Sequence, residues 1–385
     1  MSAKRIMIGG AIGHHPIGGS GNAWAFLQYI LGFRALGFDT FYVEHLEAKS
    51  CWDDQWNVVP FVDSVNARYV AALAQRFGLE GTVALLDEES SAYVGLSHAD
   101  VQRLARDADV FINMSGRFHV REVLAAARRR MYLDMDPGFT QIWQEQYDVD
   151  MNLRGHDVYV TVGPFLGTDK SPLPTGGVQW KHTLPPVVIE EWQTDVAAGS
   201  TYTTVADWRG YGAVEWQGVW YGQKAQEFAR LIDVPSRVNV PMEICLAIHP
   251  DEADRAMLTE HGWRLSEPRA RAATPDAYRE YIWQSRGEFS AAKHGYVAGR
   301  TGWFSDRSAC YLAAGRPVIL QDTGFSQYLP AGRGLLAFDD PDRAIDAIRM
   351  VEADYAAHAA AARAIAREHF DARRVLPHLL ELAGL

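Results

Sequence analysis

Through the first third of the chain, short apolar runs alternate with longer stretches in which apolar residues recur every three or four positions. RIMI (5–8), TFYV (40–43), VALL (83–86), VFIN (110–113), MYL (131–133) and VYVTV (158–162) read as strands, and residues 23–36, 62–77, 99–105 and 121–129 between them as helices. Strand then helix at this rhythm predicts a parallel sheet with helices on both faces. The pattern lapses over residues 184–204, where Pro185-Pro186, Glu190-Glu191 and AAGS (197–200) carry no sustained period. It restarts with TTVA (203–206), a Gly- and Trp-bearing loop, a helical period over 223–232 and the run MEICLAI (242–248). A helix over 277–283, a strand over 289–297 carrying Lys293, a helix over 307–314, a buried strand over 317–320 and GLLAF (334–338) follow, with helices from residue 342 to the end. The Ala-rich residues 353–367 read as one helical stretch.

The expected organisation is α/β: two doubly wound parallel-sheet domains facing one another, residues 1–188 and 202–365, with a linker over 189–201. The last residues, 366–385, form a C-terminal helix expected to pack back on the first domain. A chain of 385 residues, 48% of them apolar, exceeds what one core supports, which agrees with two domains and a ligand cleft between them.

Charge and cysteine content narrow the function. The net charge of -11 is dispersed, and only Arg128-Arg129-Arg130 makes a short basic run, so nucleic acid is not an expected partner. Cys51, Cys245 and Cys310 share no metal-ligand spacing, and the basic N-terminus runs straight into a strand with no signal-peptide pattern. No window approaches eighteen consecutive apolar residues, so no stable membrane insertion is expected and the chain reads as cytoplasmic.

The first strand runs into GGAIGHHPIGGSGN (9–22), a loop whose backbone amides and following helix start suit an anion or polar ligand. About a dozen residues separate strand from helix, too many for the dinucleotide fingerprint. An NAD(P)-dependent oxidoreductase or epimerase is the alternative this loop suggests, with Glu44 near the place of a ribose-binding acid. His14 and His15 in the loop are candidate general bases. Asp134 and Asp136, in LDMDPG (133–138), stand at a strand's carboxyl end, where open sheets place their ligands. One can serve as base or hydrogen-bond acceptor; alternate positions on a strand equally suit separate capping roles, so no metal site is assigned.

In the second half, Arg209 and Lys224 flank a strand-loop-helix turn suited to neutralising a diphosphate, and Trp208, Trp216, Trp220 and Tyr221 are available to stack on a flat ligand. Ser305-Asp306 caps the helix that follows; its first turn offers free amides, the hydroxyls of Ser305 and Ser308 and the Arg307 guanidinium, which suit an anion.

The order of a polar cluster, a helix, AAGRPV (313–318), a short apolar strand, DTG (322–324) and GRGLL (332–336) resembles the donor half of GT-B-fold glycosyltransferases. The resemblance implies a GT-B-like pair of Rossmann-like domains, moving a sugar from a nucleotide-diphosphate sugar to a small-molecule or glycan acceptor. It implies no cofactor beyond that co-substrate. By this resemblance Ser305, Arg307 and Ser308 face phosphate, with Asp306 and Lys293 beside them; Asp322, Thr323 and Gln327 face the sugar; Gly18 and Gly19 lie across the cleft; Arg209 and Lys224 grip the diphosphate. The two glutamates of the retaining enzymes fall here on Gly302 and Cys310, which favours an inverting, metal-independent route with His14, His15 or Asp136 as base. A non-catalytic two-domain nucleotide or sugar binder is the remaining alternative.

Overall fold

A computed structural model describes residues 4–16 and 18–385. The first eight strands are β1 (Arg5–Gly9), β2 (Asp39–Leu46), β3 (Val83–Asp87), β4 (Tyr93–Gly95), β5 (Val110–Met114), β6 (Arg130–Asp134), β7 (Val158–Thr161) and β8 (Trp180–His182). They form one sheet in the order β4-β3-β2-β1-β5-β6-β7-β8, parallel except where β4 runs against β3. The next eight are β9 (Tyr202–Asp207), β10 (Val214–Trp216), β11 (Val219–Tyr221), β12 (Met242–Ala247), β13 (Arg264–Ser266), β14 (Gly287–Ser290), β15 (Val318–Gln321) and β16 (Leu335–Phe338). Six of these make a second, fully parallel sheet, β13-β12-β9-β14-β15-β16. In each sheet the strand order reverses beside the first strand in sequence, β1 or β9, and the crevice at that reversal is where such sheets bind ligands.

The periodic strands are here because their residues suit burial on both faces: every residue of β3, β5 and β15 is buried. Three expectations change. The strand expected over 289–297 ends at Ser290, since the small Ala291 and Ala292 give way to Lys293, the N-cap of the helix His294–Ala298. The Gly- and Trp-bearing loop contains the antiparallel hairpin β10–β11, turned at Gln217 and Gly218 with φ of 52° and 79°. Two consecutive positive φ values make the type I′ turn, which a Gln in first place does not advertise. The Ala-rich stretch breaks at Asp354, whose carboxylate accepts from Ala357 N at 3.3 Å and starts a second helix, Tyr355–Ile365.

Beneath the cleft the two halves share one apolar core that runs from Ile8 and Leu27 to Tyr311 and Leu312. Trp24 Nε1 donates to Pro275 O at 2.8 Å, and Gln28 Oε1 accepts from Val188 N at 2.7 Å. The terminal helix Ala372–Ala383 lies on the helix Ser20–Ala35 so closely that a Cβ on Gly32 would stand 2.5 Å from Leu376 Cδ1. Leu376 and Leu379 are fully buried there, each contributing about 2 kcal/mol by area.

A candidate ligand cleft between the two sheets

Three adjoining cavities follow the carboxyl edges of both sheets. The first, about 540 Å3, is walled by the loops after β5 and β6, with Tyr211, Lys293 and Tyr296 from the second half. The second, about 460 Å3, lies between the glycine loop and the end of β9 and shares His15 and Asn22 with the first. The third, about 660 Å3, runs along Leu246–Pro250 after β12 and shares Gly18, Trp56, Ala247 and Pro268 with the second. Each is the size of a small-molecule site.

The register of β1 on β2 builds the glycine loop. Gly9 pairs with Val43, so Glu44 stands one residue beyond, beside the loop. Its fully buried carboxylate accepts from Gly13 N (2.8 Å), His14 N (3.0 Å), Tyr42 OH (2.7 Å) and His14 Nδ1 (2.6 Å). These bonds place a proton on Nδ1 of His14. They also commit the acid that a nicotinamide reading would need for a ribose. His15, next in the chain, is exposed where the first two cavities meet. Crowding by protein atoms, then the Arg117 and His14 charges, lower its pKa from 6.5, so it is neutral and able to accept a proton at pH 7. Gly18 and Gly19 line the second cavity, and Gly19 caps the helix Ser20–Ala35 without a side chain. Ser20 Oγ, at that helix start, is buried without a hydrogen-bond partner among the described residues.

Asp134 and Asp136 part company. Asp134 is fully buried and accepts from Thr140 Oγ1 and Thr161 Oγ1 (2.8 Å each), Gln141 Nε2 (3.1 Å) and Asp136 N (3.1 Å); burial pushes its carboxyl pKa up against these donors. Asp136 turns into the cleft, where Lys293 Nζ (3.1 Å) and the hydroxyls of Tyr211 and Tyr296 donate to it. Three donors from the second half therefore already occupy this candidate base. No group of three or more His, Cys, Asp or Glu able to hold a metal ion occurs among the described residues.

Of the donor-site residues expected from sequence, Gly18, Gly19 and Lys293 line the three cavities, and the others lie outside them. Arg209 spends its guanidinium on Glu252 (2.7 Å) and Asp254 (2.5 Å) at the surface. Lys224 is buried instead, donating to Ala291 O at 3.0 Å; burial and then the Arg307 charge hold its pKa well below the ordinary lysine value. Arg307 turns inward to Glu288 (2.5 Å), Val205 O (3.0 Å) and Ser290 Oγ (3.1 Å). Burial opposes its charge, but the Glu288 carboxylate outweighs that and raises its pKa. Ser305 and Ser308 are buried, Ser308 Oγ without a hydrogen-bond partner among the described residues, and burial pushes the Asp306 carboxyl pKa up. Asp322 caps its own turn through Gly324 N (2.8 Å) and Ser326 Oγ (2.5 Å). Thr323 Oγ1 donates to Trp303 O (2.5 Å), and Gln327 Oε1 accepts from Lys170 Nζ (2.9 Å).

Gly302 has φ of 71°, and a Cβ there would meet the Phe165 ring at 3.1 Å, so no glutamate fits without displacing that ring. Cys310 is buried, with Gln28 Nε2 3.5 Å from its sulfur. Sequence reasoning missed Trp56, Tyr296 and Arg117. Trp56 is 48% exposed with φ of 68°, its loop held by Asp53 Oδ1 accepting from Gln55 N and Asn57 N, and the Arg269 guanidinium lies 5.0 Å from its ring. The signal available was DDQWN (53–57), an Asx turn presenting a tryptophan.

No protein-family model matches the sequence, and no curated protein does. Solved structures match over nearly the whole chain. HepE of Anabaena, in complex with UDP-glucose, aligns at 13% identity and a TM-score of 0.60, covering 99% of this chain and 100% of that one. An alpha-glucosyltransferase in complex with UDP and a 13-mer DNA gives 11% identity and 0.61, covering both chains fully. Sucrose-phosphate synthase from Thermosynechococcus elongatus gives 9% and 0.54, covering 98% of each. At these identities the likeness establishes the fold: the chain has the two-sheet GT-B architecture expected from residues 289–338.

Proposed function

We propose that this protein is a nucleotide-sugar-dependent glycosyltransferase, with its first half on the acceptor side, its second half on the donor side and the change-over at residues 189–201. The observation that carries the reading is the continuous cleft along the carboxyl edges of two facing parallel sheets, with a neutral imidazole, His15, where its cavities join. The GT-B neighbours named above, solved with UDP or UDP-glucose, support a nucleoside diphosphate sugar as donor.

The nucleoside lies in the cavity between Trp56, Arg269 and the end of β12, where an aromatic face and a cation are on hand. In the cavity walled by Val205–Asp207 of the second half, the diphosphate meets the amides of Gly18, Gly19 and the helix start at Ser20, which reach across from the first half, so the leaving group's charge is met without a metal. In the step itself, the acceptor hydroxyl oxygen bonds to the anomeric carbon as its proton passes to His15. The bond from that carbon to the diphosphate oxygen breaks, and its electron pair leaves with the diphosphate. With Gly302 and Cys310 in place of glutamates, attack from the face opposite the leaving group, with inversion, is the route the residues support. His14, held by Glu44, fixes the loop that carries His15.

The test is release of nucleoside diphosphate from a panel of UDP-, ADP-, GDP- and dTDP-sugars, with and without acceptor alcohols. The reading expects release from at least one donor; a complete absence of release and of donor binding would remove it.

A further inference from the structure

At the first-half end of the cleft, the loop after β5 and the segment before β7 that supports it are built at some cost. Ser115 and Asn152, neither a glycine, take left-handed backbone with φ of 51° and 56°. Buried Asn113 bonds both Phe118 N (2.9 Å) and Phe118 O (3.1 Å), and buried Asn152 donates to Gly116 O (3.1 Å) and Phe118 O (2.7 Å). Two buried amides therefore fix the backbone on either side of Arg117.

Arg117 is exposed, lines the 540 Å3 cavity, and among the described residues its guanidinium makes no hydrogen bond or ion pair. The other cation in that cavity wall, Lys293, is already paired with Asp136 at 3.1 Å. The nearby acid Asp150 is occupied as well, by Arg121 at 3.7 Å and by Asn152 N at 2.8 Å. The remaining wall is mixed: apolar Phe26, Met114, Met135, Trp143 and Met151 stand among the polar Asn22, Ser115, His119 and Thr140. His15 borders the same cavity at its junction with the next.

We propose that the acceptor is a compact alcohol or phenol with an apolar body and an anionic group, carboxylate or phosphate, which Arg117 binds while the hydroxyl lies at His15. This rests on the glycosyltransferase reading for the word acceptor, but the anion site stands on its own geometry. A guanidinium left unpaired on a rigid loop matches such an oxyanion with two parallel hydrogen bonds, which an ammonium cannot reproduce.

The experiment is calorimetric titration of wild type, Arg117→Ala and Arg117→Lys with 4-hydroxybenzoate, 4-hydroxyphenyl phosphate and neutral 4-hydroxybenzamide, each with and without saturating UDP. At least one anion is expected to bind wild type about tenfold or more tighter than the amide, a preference lost in Arg117→Ala and partly kept in Arg117→Lys. The two anionic arms say whether carboxylate or phosphate is preferred. Equal binding of the amide, no binding of either anion, or an unchanged preference in Arg117→Ala overturns the proposal, as does a loss of UDP affinity in that variant. Failure of UDP, ADP, GDP and dTDP alike to bind wild type counts against the glycosyltransferase reading instead, and the titrations without nucleotide still decide the anion site.

Discussion

Asp136 and Lys293 meet across the cleft, Oδ2 to Nζ at 3.1 Å, and so join the loop after β6 of the first sheet to the loop after β14 of the second. Each side chain is about one fifth exposed, so the pair is shielded enough to matter and wet enough to open. Asp136→Asn keeps the shape and removes the charge, and is expected to cost the closed arrangement about 2 kcal/mol. Small-angle X-ray scattering should record a larger radius of gyration for the variant; superimposable profiles would mean the pair does not hold the halves together.

His15 is expected to accept the proton. His15→Ala should lower turnover by about 10²- to 10⁴-fold while donor affinity stays within a factor of two. Because its pKa is lowered from 6.5 by crowding and then by Arg117, the acid limb of kcat/KM should fall below pH 6.5. An acid limb above that value, or near-normal turnover in the variant, would assign the base elsewhere.

Glu288 of β14 and Arg307, in the first turn of the helix Asp306–Ala313, form a buried pair, 0% and 10% exposed. Arg307→Ala leaves a carboxylate in the core without its counter-ion and should destabilise the protein by about 3–5 kcal/mol. Pairing it with Glu288→Gln should restore much of that loss in denaturant titrations. A stable Arg307→Ala protein with weakened nucleotide binding would return Arg307 to the phosphate role its sequence position suggests.

His45 titrates against stability. Burial, then the His98 and His119 charges, lower its pKa from 6.5 to about 4. Between those values the unfolded chain binds a proton the native state refuses, so stability falls as pH drops from 6.5 toward 4, by on the order of 3 kcal/mol from this residue. His45→Phe, which keeps a ring beside Phe118, should flatten the dependence of unfolding free energy on pH across that window. Parallel curves for the two proteins would contradict the assignment.

The sheets are readable in sequence because β3, β5 and β15 are continuous apolar runs bounded by turn residues, and the helix over 306–313 because Ser305-Asp306 and Gly315 mark its ends. The hairpin at Gln217-Gly218 is not, since its first turn residue is one that rarely takes positive φ. Chemistry is legible as residue type and chain position, less so as partnership. Arg209 and Arg307 look like phosphate ligands because nothing in sequence places Glu252 or Glu288 beside them. Glu44 stands out in sequence only as a ribose ligand, whereas its register beside Gly9 and Val43, a long-range fact, gives it to His14. Arg117 carries no motif, and only the absence of a partner among the described residues distinguishes it.

The central expectation is a nucleoside diphosphate sugar in the cleft, its nucleoside between Trp56, Arg269 and the end of β12. Calorimetric titration of UDP-glucose and of UDP, ADP, GDP and dTDP into wild type, Trp56→Ala and Arg269→Ala tests that most directly. The expected result is one-site, saturable binding of at least one of them, weakened about tenfold in each variant. Binding that both variants leave intact, or none of the five binding to wild type, would contradict it.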